Sequence, residues 1–483
     1  MIKHILYYLP AKILPGAINF LGLMIYARIF TQSEYGRFSY VIALFALMQS
    51  ILFPWIRMST NRYYQRYMKT GKGKEFQNFA LFIFALSSII LTLLVVIYLS
   101  TVDVEQDLIH LFILALFVVI LQSLFEQLMS FARAKLDSRT FAYSSIIRAI
   151  LRLSTTLLLV VFLEIKEEAL FIGLIVAQLI PITIYIRKHF EFDIKLFRFN
   201  LKYFKNMLSY GGPLTVTFLL GFIINTSDRI LIKYFLDEKS VGLYSLPYEF
   251  TDYTIRNIFT VFSLAFFPVI VKELEQDNVS RMNYRIKQYG EIMLSFTLPC
   301  IIFILIFSPF IVTLFLGENY ESPETNMIIQ IISLSVFVAG LKAYYFDYSF
   351  QLGESTKSQV IPVVLAATVN IILNILLIPY KGVIGAVFAT LTAYLIGLLT
   401  SILVGRRIFY ITLFSKNTFS ILLANIIFLT GIIKLSRLSI NWYNFIVIAV
   451  ISFLFYVVLI YSFNIAQIRH IIKKKLDNLG VRK

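Results

Sequence analysis

The stretch SSIIRAILRLSTTLLLVVFL, residues 144–163, is apolar enough to lie in lipid, yet it carries Arg148 and Arg152 one helical turn apart. Twenty helical residues rise about 30 Å, the thickness of a bilayer's hydrocarbon core. Runs of this kind recur along all 483 residues: 59% of the chain is hydrophobic and 15% is charged, and the mean hydropathy is +0.79. Soluble domains carry about 25% charged residues, so composition excludes a soluble enzyme and implies an all-α polytopic membrane protein.

Fourteen spans are expected, centred near residues 20, 46, 89, 119, 153, 178, 220, 257, 301, 338, 368, 394, 425 and 453. The first run, LPAKILPGAINFLGLMIYARIF at 9–30, is longer than a signal-peptide core and lacks a clean small-residue cleavage site, so it reads as a retained span. Prolines 54, 181, 213, 247, 268, 299, 309 and 362 lie in or near the runs, where they imply bent helices bordering a cavity or hinge. Cys300 is the single cysteine, so no disulfide can form within the chain, and no metal centre, thiol-redox site or other cofactor is expected.

The net charge of +17 would suggest nucleic acid in a soluble protein. Here the basic residues fall in alternate loops, which fix topology against anionic lipid, and no nucleic-acid partner is expected. Residues 57–77 hold Arg57, Arg62, Arg66, Lys69, Lys72 and Lys74; residues 187–206 hold six more bases, and the tail adds Arg469, Lys473, Lys474, Lys475, Arg482 and Lys483. The opposite loops, TVDVEQD, EIKEE and LGENYESPETN, share one lysine. The positive-inside rule puts both termini in the cytoplasm of a multi-pass protein of the cell (inner) membrane. The segment RKHFEFDIKLFRFNLKYFKNM, 187–207, reads as a basic amphipathic linker near mid-chain, with a plain solvated loop as the competing reading.

The halves echo each other. After the first span comes IFTQSEYGRFSY, and after the seventh YFLDEKSVGLYS, which align Gly36, Phe38 and Ser39 with Gly242, Tyr244 and Ser245. Internal repeats are common in secondary transporters. At these residues the chain resembles the Wzx-type polysaccharide-biosynthesis flippases: LSYGGPLTVTFLLGFIINTSDRILIKYFLDEKSVGLYS, 208–245, has Gly211-x-Pro213, the Asp228–Arg229 pair and the Gly-Leu-Tyr-Ser turn. NIILNILLIPYKGVIGAVFATLTAYLI, 370–396, is similar to a pattern of the wider multidrug/oligosaccharidyl-lipid/polysaccharide exporter superfamily.

The resemblance implies two six-helix lobes around a central cavity, plus two C-terminal helices. The boundaries would be 1–188 for the first lobe, 189–206 for the linker, 207–408 for the second lobe, and 409–483 for the extra spans and basic tail. It further implies an oligosaccharide on a polyprenyl pyrophosphate as cargo, moved from the cytoplasmic to the outer leaflet by alternating access. Partners would be that lipid-linked oligosaccharide, membrane lipids and other polysaccharide-assembly proteins.

Such cargo needs a hydrated, net positive cavity. Arg148 and Arg152 share a face with Ser145 and, near it, Thr155 and Thr156. An arginine at mid-membrane costs about 2.5–3.5 kcal/mol on insertion scales, and its planar fork suits phosphate. The competing reading is that both snorkel to headgroups, although Arg152 lies about 6 Å deeper. Glu249, Asp252 and Arg256 share a face of the eighth span, either as an internal ion pair or as a cavity cluster. Lys342 is expected to be a cavity cation, because Asp347, five residues on, should point elsewhere on an α-helix. Arg148, Arg152, Arg256 and Lys342 are therefore the candidate substrate-binding residues. Arg28, Asp228, Arg229, Glu249 and Asp252 are candidates for a gate or ion pairs, with interfacial anchoring as the alternative for Arg28, Asp228 and Arg229. Asn370 and Asn374 are expected to bond between helices.

The leading reading is a flippase for surface polysaccharide (O-antigen, capsule or exopolysaccharide). A peptidoglycan lipid-intermediate flippase and a cation or drug antiporter are the alternatives. A membrane-embedded polymerase or ligase would need a large external loop, and GKGK at 71–74 lacks phosphate-loop spacing, so no enzyme is expected.

Overall fold

The computed structural model describes residues 2–135, 137–189, 199–276, 278–411, 416–436, 441–465 and 469. Half of the expected linker (190–198) and the basic tail from Lys473 lie outside them. The described residues are mostly helical, with no strand among them. In order they form α1 (Ile2–Ile29), α2 (Gln32–Leu52), α3 (Pro54–Lys69), α4 (Gly73–Thr101), α5 (Gln106–Ala134), α6 (Ser138–Leu163), α7 (Glu168–His189) and α8 (Leu201–Phe235). There follow α9 (Glu238–Glu275), α10 (Val279–Ile311), α11 (Pro323–Leu341), α12 (Tyr348–Leu352), α13 (Val360–Gly405), α14 (Lys416–Leu435) and α15 (Trp442–Ser462).

Twelve helices among the described residues are long and apolar enough to cross a membrane, and Leu14–Ile29 is a shorter apolar helix. α13 is two helices joined at a kink, with Gly382 at φ 57° and ψ −144°. Each arm is about 22 residues, roughly 33 Å, and so spans alone. With that division and Leu14–Ile29, the described residues supply the fourteen expected crossings. Their outward side chains are those of a protein solvated by lipid: Val161, Phe162, Leu163, Phe453, Leu454 and Val458 are all exposed.

The chain divides into two compact units, Met1–Leu246 with Asn374–Val383, and Pro247–Leu373 with Ile384–Lys483. In the first, α6 packs against α1 and α7, α5 against α7, and α8 runs along α2 and α3. Buried aromatic rings meet edge-on in this core, as in Phe38–Phe171 at 5.0 Å and Tyr64–Phe131 at 5.0 Å. In the second, α10 packs against α11 and α14, and α14 against α15.

Local signals set the helix ends. Thr31 and Glu34 form a reciprocal capping box at the start of α2, and Asp237 accepts the Ser240 N–H (2.7 Å) at the start of α9. Pro54 ends α2 and opens α3 at a position where its missing N–H is harmless. Residues 57–69, expected in a basic loop, are therefore helical: Ile56, Ser59, Thr60 and Tyr64 turn inward, and Arg62, Arg66 and Lys69 turn outward.

Candidate functional site

The break at Phe53–Pro54 opens a cavity of about 350 Å³ in the first unit, between α2–α3, α5 and α8. Non-helical backbone at membrane depth is tolerated where it lines such a space. Trp55 uses its indole N–H to cover the Leu52 carbonyl (3.0 Å) that the break would leave open. The helices around the cavity are bolted by buried polar bonds. Ser59 Oγ donates to the Met207 carbonyl (2.9 Å), and Gln127 Nε2 donates to Thr60 Oγ1 (2.8 Å). A Cβ on Gly211, the glycine of the Gly-x-Pro motif, would press on the Trp55 carbonyl oxygen, so the motif sets how closely α8 approaches α3.

The lining mixes three rings (Phe53, Phe218, Phe222) with Gln49, Ser50, Ser123, Asn225, Thr226 and one ion pair. That pair is Arg57 on α3 with Glu126 on α5. The Arg57 guanidinium also lies 5.8 Å from the centre of the Phe218 ring, and Gln122 Nε2 donates to Glu126 Oε1 (3.3 Å). Gln49 donates to Ser123 (3.0 Å). Amides and hydroxyls beside ring faces suit a polyhydroxylated ligand, and an arginine suits an anionic oxygen. Sequence reasoning missed both charged residues here. In the sequence Arg57 reads as a loop base. Glu126 was not singled out, although a lone carboxylate within the apolar α5 run is itself a signal of function.

At the opposite end of the same unit the repeat closes on itself. Gly36 on α2 and Gly242 on α9 cross so closely that a Cβ on Gly36 would overlap the Glu238 carbonyl oxygen, and one on Gly242 would overlap that of Gln32. One turn further, Ser39 Oγ donates to Ser245 Oγ (2.8 Å) in a buried contact. Each pair relates residue i to residue i + 206, so the sequence echo is a local two-fold crossing.

Ion pairs surround this clasp. Arg37 holds Glu167 (2.6 Å) and Glu238 (3.4 Å), Lys233 holds Glu238 (3.0 Å) and Glu105 (3.3 Å), and Lys166 reaches Glu34 at 3.9 Å. The connections α1–α2, α4–α5, α6–α7 and α8–α9 are thereby tied together.

The predicted gate residues divide. Asp228 is buried and accepts from Tyr244 Oη (2.6 Å) and Asn374 Nδ2 (2.6 Å). Arg229 is buried and donates to Ser245 Oγ (3.1 Å) and the Asn225 carbonyl (3.3 Å), which links it to the clasp. Asn374 thus bonds between helices, whereas Arg28 ends α1 with its side chain exposed. Arg148 and Arg152 are half-buried on α6. The Arg148 guanidinium lies 5.0 Å from the Phe125 ring centre, and the backbone at Arg152 is closely approached by α7 at Gly173.

The other two expected cavity cations lie in the second unit, and each holds a carboxylate. Arg256 makes a forked pair with Asp252, from Nε to Oδ1 at 2.8 Å and from Nη2 to Oδ1 at 2.6 Å. Glu249 on the same helix lies near Tyr320, whose hydroxyl is pushed above its usual range by burial and, secondarily, by that carboxylate. Lys342 corrects an expectation, because its Nζ lies 2.7 Å from Asp347 Oδ2. Residues 342–346 form a π-helical turn in which the Asp347 N–H bonds the Lys342 carbonyl (2.8 Å), and this wider turn aligns positions five apart. Gln359 Nε2 (3.2 Å) and Ser401 Oγ complete the shell around Asp347. Lys342 is part of a neutral structural knot.

Comparison with known proteins adds the family context. A family model described as "polysaccharide biosynthesis protein" matches residues 25–324. A putative O-antigen transporter of Shigella flexneri is 26% identical over 210 residues, covering 40% of this chain and 46% of its own length. The chain spans less than half the length of the curated relatives it matches. Among solved structures, the lipid II flippase MurJ in an inward closed conformation aligns with a TM-score of 0.77 and 18% identity, over 97% of this chain and 100% of that one. An inward-facing multidrug resistance MATE family transporter of the MOP superfamily aligns with a TM-score of 0.67 and 12% identity, over 83% and 97%. At these identities the likenesses are of fold.

Proposed function

The chain belongs to the family of polysaccharide biosynthesis proteins, and from that premise we propose that it is a flippase for a polyprenyl-pyrophosphate-linked oligosaccharide. The cargo moves from the cytoplasmic to the outer leaflet, for surface polysaccharide export. The observation that carries this reading is the Arg57 cavity: polar groups, aromatic faces and a guanidinium, paired with Glu126 so that the lining is net neutral at rest and not net positive, together inside a lipid-solvated helix bundle. A glycolipid head needs those three chemistries at once, for its hydroxyls, its sugar faces and its phosphates.

In this reading the end carrying Arg62, Arg66 and Lys69 faces the cytoplasm of the inner membrane, by the positive-inside rule, as do both termini. The clasp then closes the outer face, and alternating access requires it to part once per cycle. Arg229 serves as a positioning residue of that gate through Ser245. Arg148 and Arg152 remain candidates for headgroup contact. Arg256 and Lys342, held by Asp252 and Asp347, contribute little net charge. The chain carries out no bond chemistry in this account. The energy for transport comes from gradients or from downstream consumption of the product.

A second reading, a peptidoglycan lipid-intermediate flippase, is favoured by the fold likeness to the lipid II flippase over nearly the whole chain. Complementation separates the two. Expression in cells depleted of their surface-polysaccharide flippase should restore polymer, and expression in cells depleted of the lipid II flippase should not restore growth. The opposite pattern would replace the first reading by the second. Resistance to cationic drugs on expression would instead indicate an antiporter.

A further inference from the structure

We infer that Glu126 is the proton-coupling residue of this cavity: the anionic headgroup takes Glu126's place on Arg57, and the displaced carboxylate takes up a proton. The inference rests on the headgroup reading above and adds to it an ion step. The argument begins with charge. Among the described residues lining the cavity, Glu126 is the sole acidic one and Arg57 the sole basic one, and they pair with each other. A diphosphate competing for the Arg57 fork must therefore either carry its charge in beside a carboxylate or displace it.

The surroundings decide what the displaced carboxylate does. From α8 the cavity receives Phe218, Gly221, Phe222, Asn225 and Thr226, none of them titratable. From α2 it receives Gln49, already donating to Ser123. The charged residues of α4 and α7 stand only in their terminal turns. α6 brings Arg148, against the Phe125 ring. α5 itself adds Gln122 and, two turns on, Arg133, which acts electrostatically on Arg57 and donates to Ser130.

With Arg57 turned to phosphate, the partner left to Glu126 on its own helix is the neutral Gln122 amide. A carboxylate that loses its cation next to an incoming anion, with only neutral amides, hydroxyls and rings lining the space beside it, is stabilised by protonation. The balance is one proton from the cytoplasmic side to Glu126 for each headgroup bound, and its release when the headgroup leaves and the Arg57–Glu126 pair re-forms. Cargo loading and proton uptake then share one residue.

Calorimetry on the purified full-length protein tests this, with farnesyl diphosphate as the soluble probe, in two buffers of different ionisation heat and across pH 5.5–8. Wild type should take up close to one proton per probe bound beyond the probe's own, with affinity rising by up to about tenfold per unit fall in pH. Glu126→Gln should bind the probe several-fold more tightly and show only the probe's own pH slope. Glu126→Asp, which keeps the charge, should retain the wild-type slope and covers the case in which Gln does not fold. Arg57→Gln should lose binding at least tenfold. Equal proton uptake in wild type and Glu126→Gln, a slope lost in Glu126→Asp, or weaker binding in Glu126→Gln would overturn the coupling role. The headgroup reading would still stand on Arg57→Gln in those cases, whereas unchanged binding in Arg57→Gln would overturn the headgroup reading itself.

Discussion

The two ends of the first unit share α2 and α8 and solve opposite problems. At the clasp, α2 and α9 meet through Gly36, Gly242, Ser39 and Ser245, with no room for one added methyl group. At the cavity end of the same α2, Pro54 breaks the helix and Arg57 meets Glu126 across a space of about 350 Å³. Small residues let backbones touch, and a proline beside large rings holds them apart. A transporter needs one end that seals and one that admits, and here the difference lies in which residues occupy positions about 20 apart on one traverse.

The largest expected effect comes from fixing the clasp. In a Cys300→Ala background, Ser39→Cys with Ser245→Cys places two thiols where two hydroxyls now hydrogen-bond. Oxidation should reduce surface polysaccharide at least tenfold, and a reductant should restore it. Unimpaired export by fully crosslinked protein would show that the clasp stays shut throughout the cycle and is structural.

The ion pairs around the clasp should matter less, and unequally. Arg37 bridges two largely buried carboxylates, and although Glu238 keeps Lys233, Arg37→Ala removes the cation that Glu167 pairs with; the change should cost about 2 kcal/mol, seen as a thermal midpoint about 2–4 °C lower in detergent. Lys166, exposed and 3.9 Å from Glu34, should show no measurable change on replacement by Ala. Equal effects would mean that the network acts as one diffuse field.

At the cap of α9 the expected effect is smaller than that at Arg37. The Ser240 backbone N–H, with Lys239 and Lys233 nearby, holds the Asp237 carboxyl below its usual range despite an opposing desolvation effect. Its contribution is thus complete above the ordinary carboxylate value of about 3.9 and is lost only as pH falls through the lower folded value. Asp237→Ala should cost about 0.5 kcal/mol at this exposed cap, unchanged between pH 5 and 8. A cost that varied across that window would point to a different titrating group.

Much of this was legible in the chain. Fourteen apolar runs gave fourteen crossings because the bilayer enforces length and apolarity on every span. The Gly-x-aromatic-Ser echo located both sides of the clasp, since a backbone contact demands glycine whatever surrounds it. The cavity was less legible. Arg57 looked like a loop base because α3 is polar on one face, and only packing shows that Ile56 and Tyr64 bury the other. Lys342 reads as unpartnered because an α-helical turn would separate it from Asp347, and the π-turn that joins them leaves no mark on the hydrophobic periodicity. Charge pairing across helices, such as Arg57 with Glu126, depends on which helices meet, and periodicity along one chain does not carry that.

The claim on which the account depends is that Arg57 receives an anionic glycolipid head, and reconstitution tests it directly. In vesicles holding a fluorescent polyprenyl-pyrophosphate-linked oligosaccharide, wild type should carry label across the bilayer well above the protein-free rate, and Arg57→Ala should fall to that rate. Transfer by Arg57→Ala at the wild-type rate, or none by wild type, would contradict it.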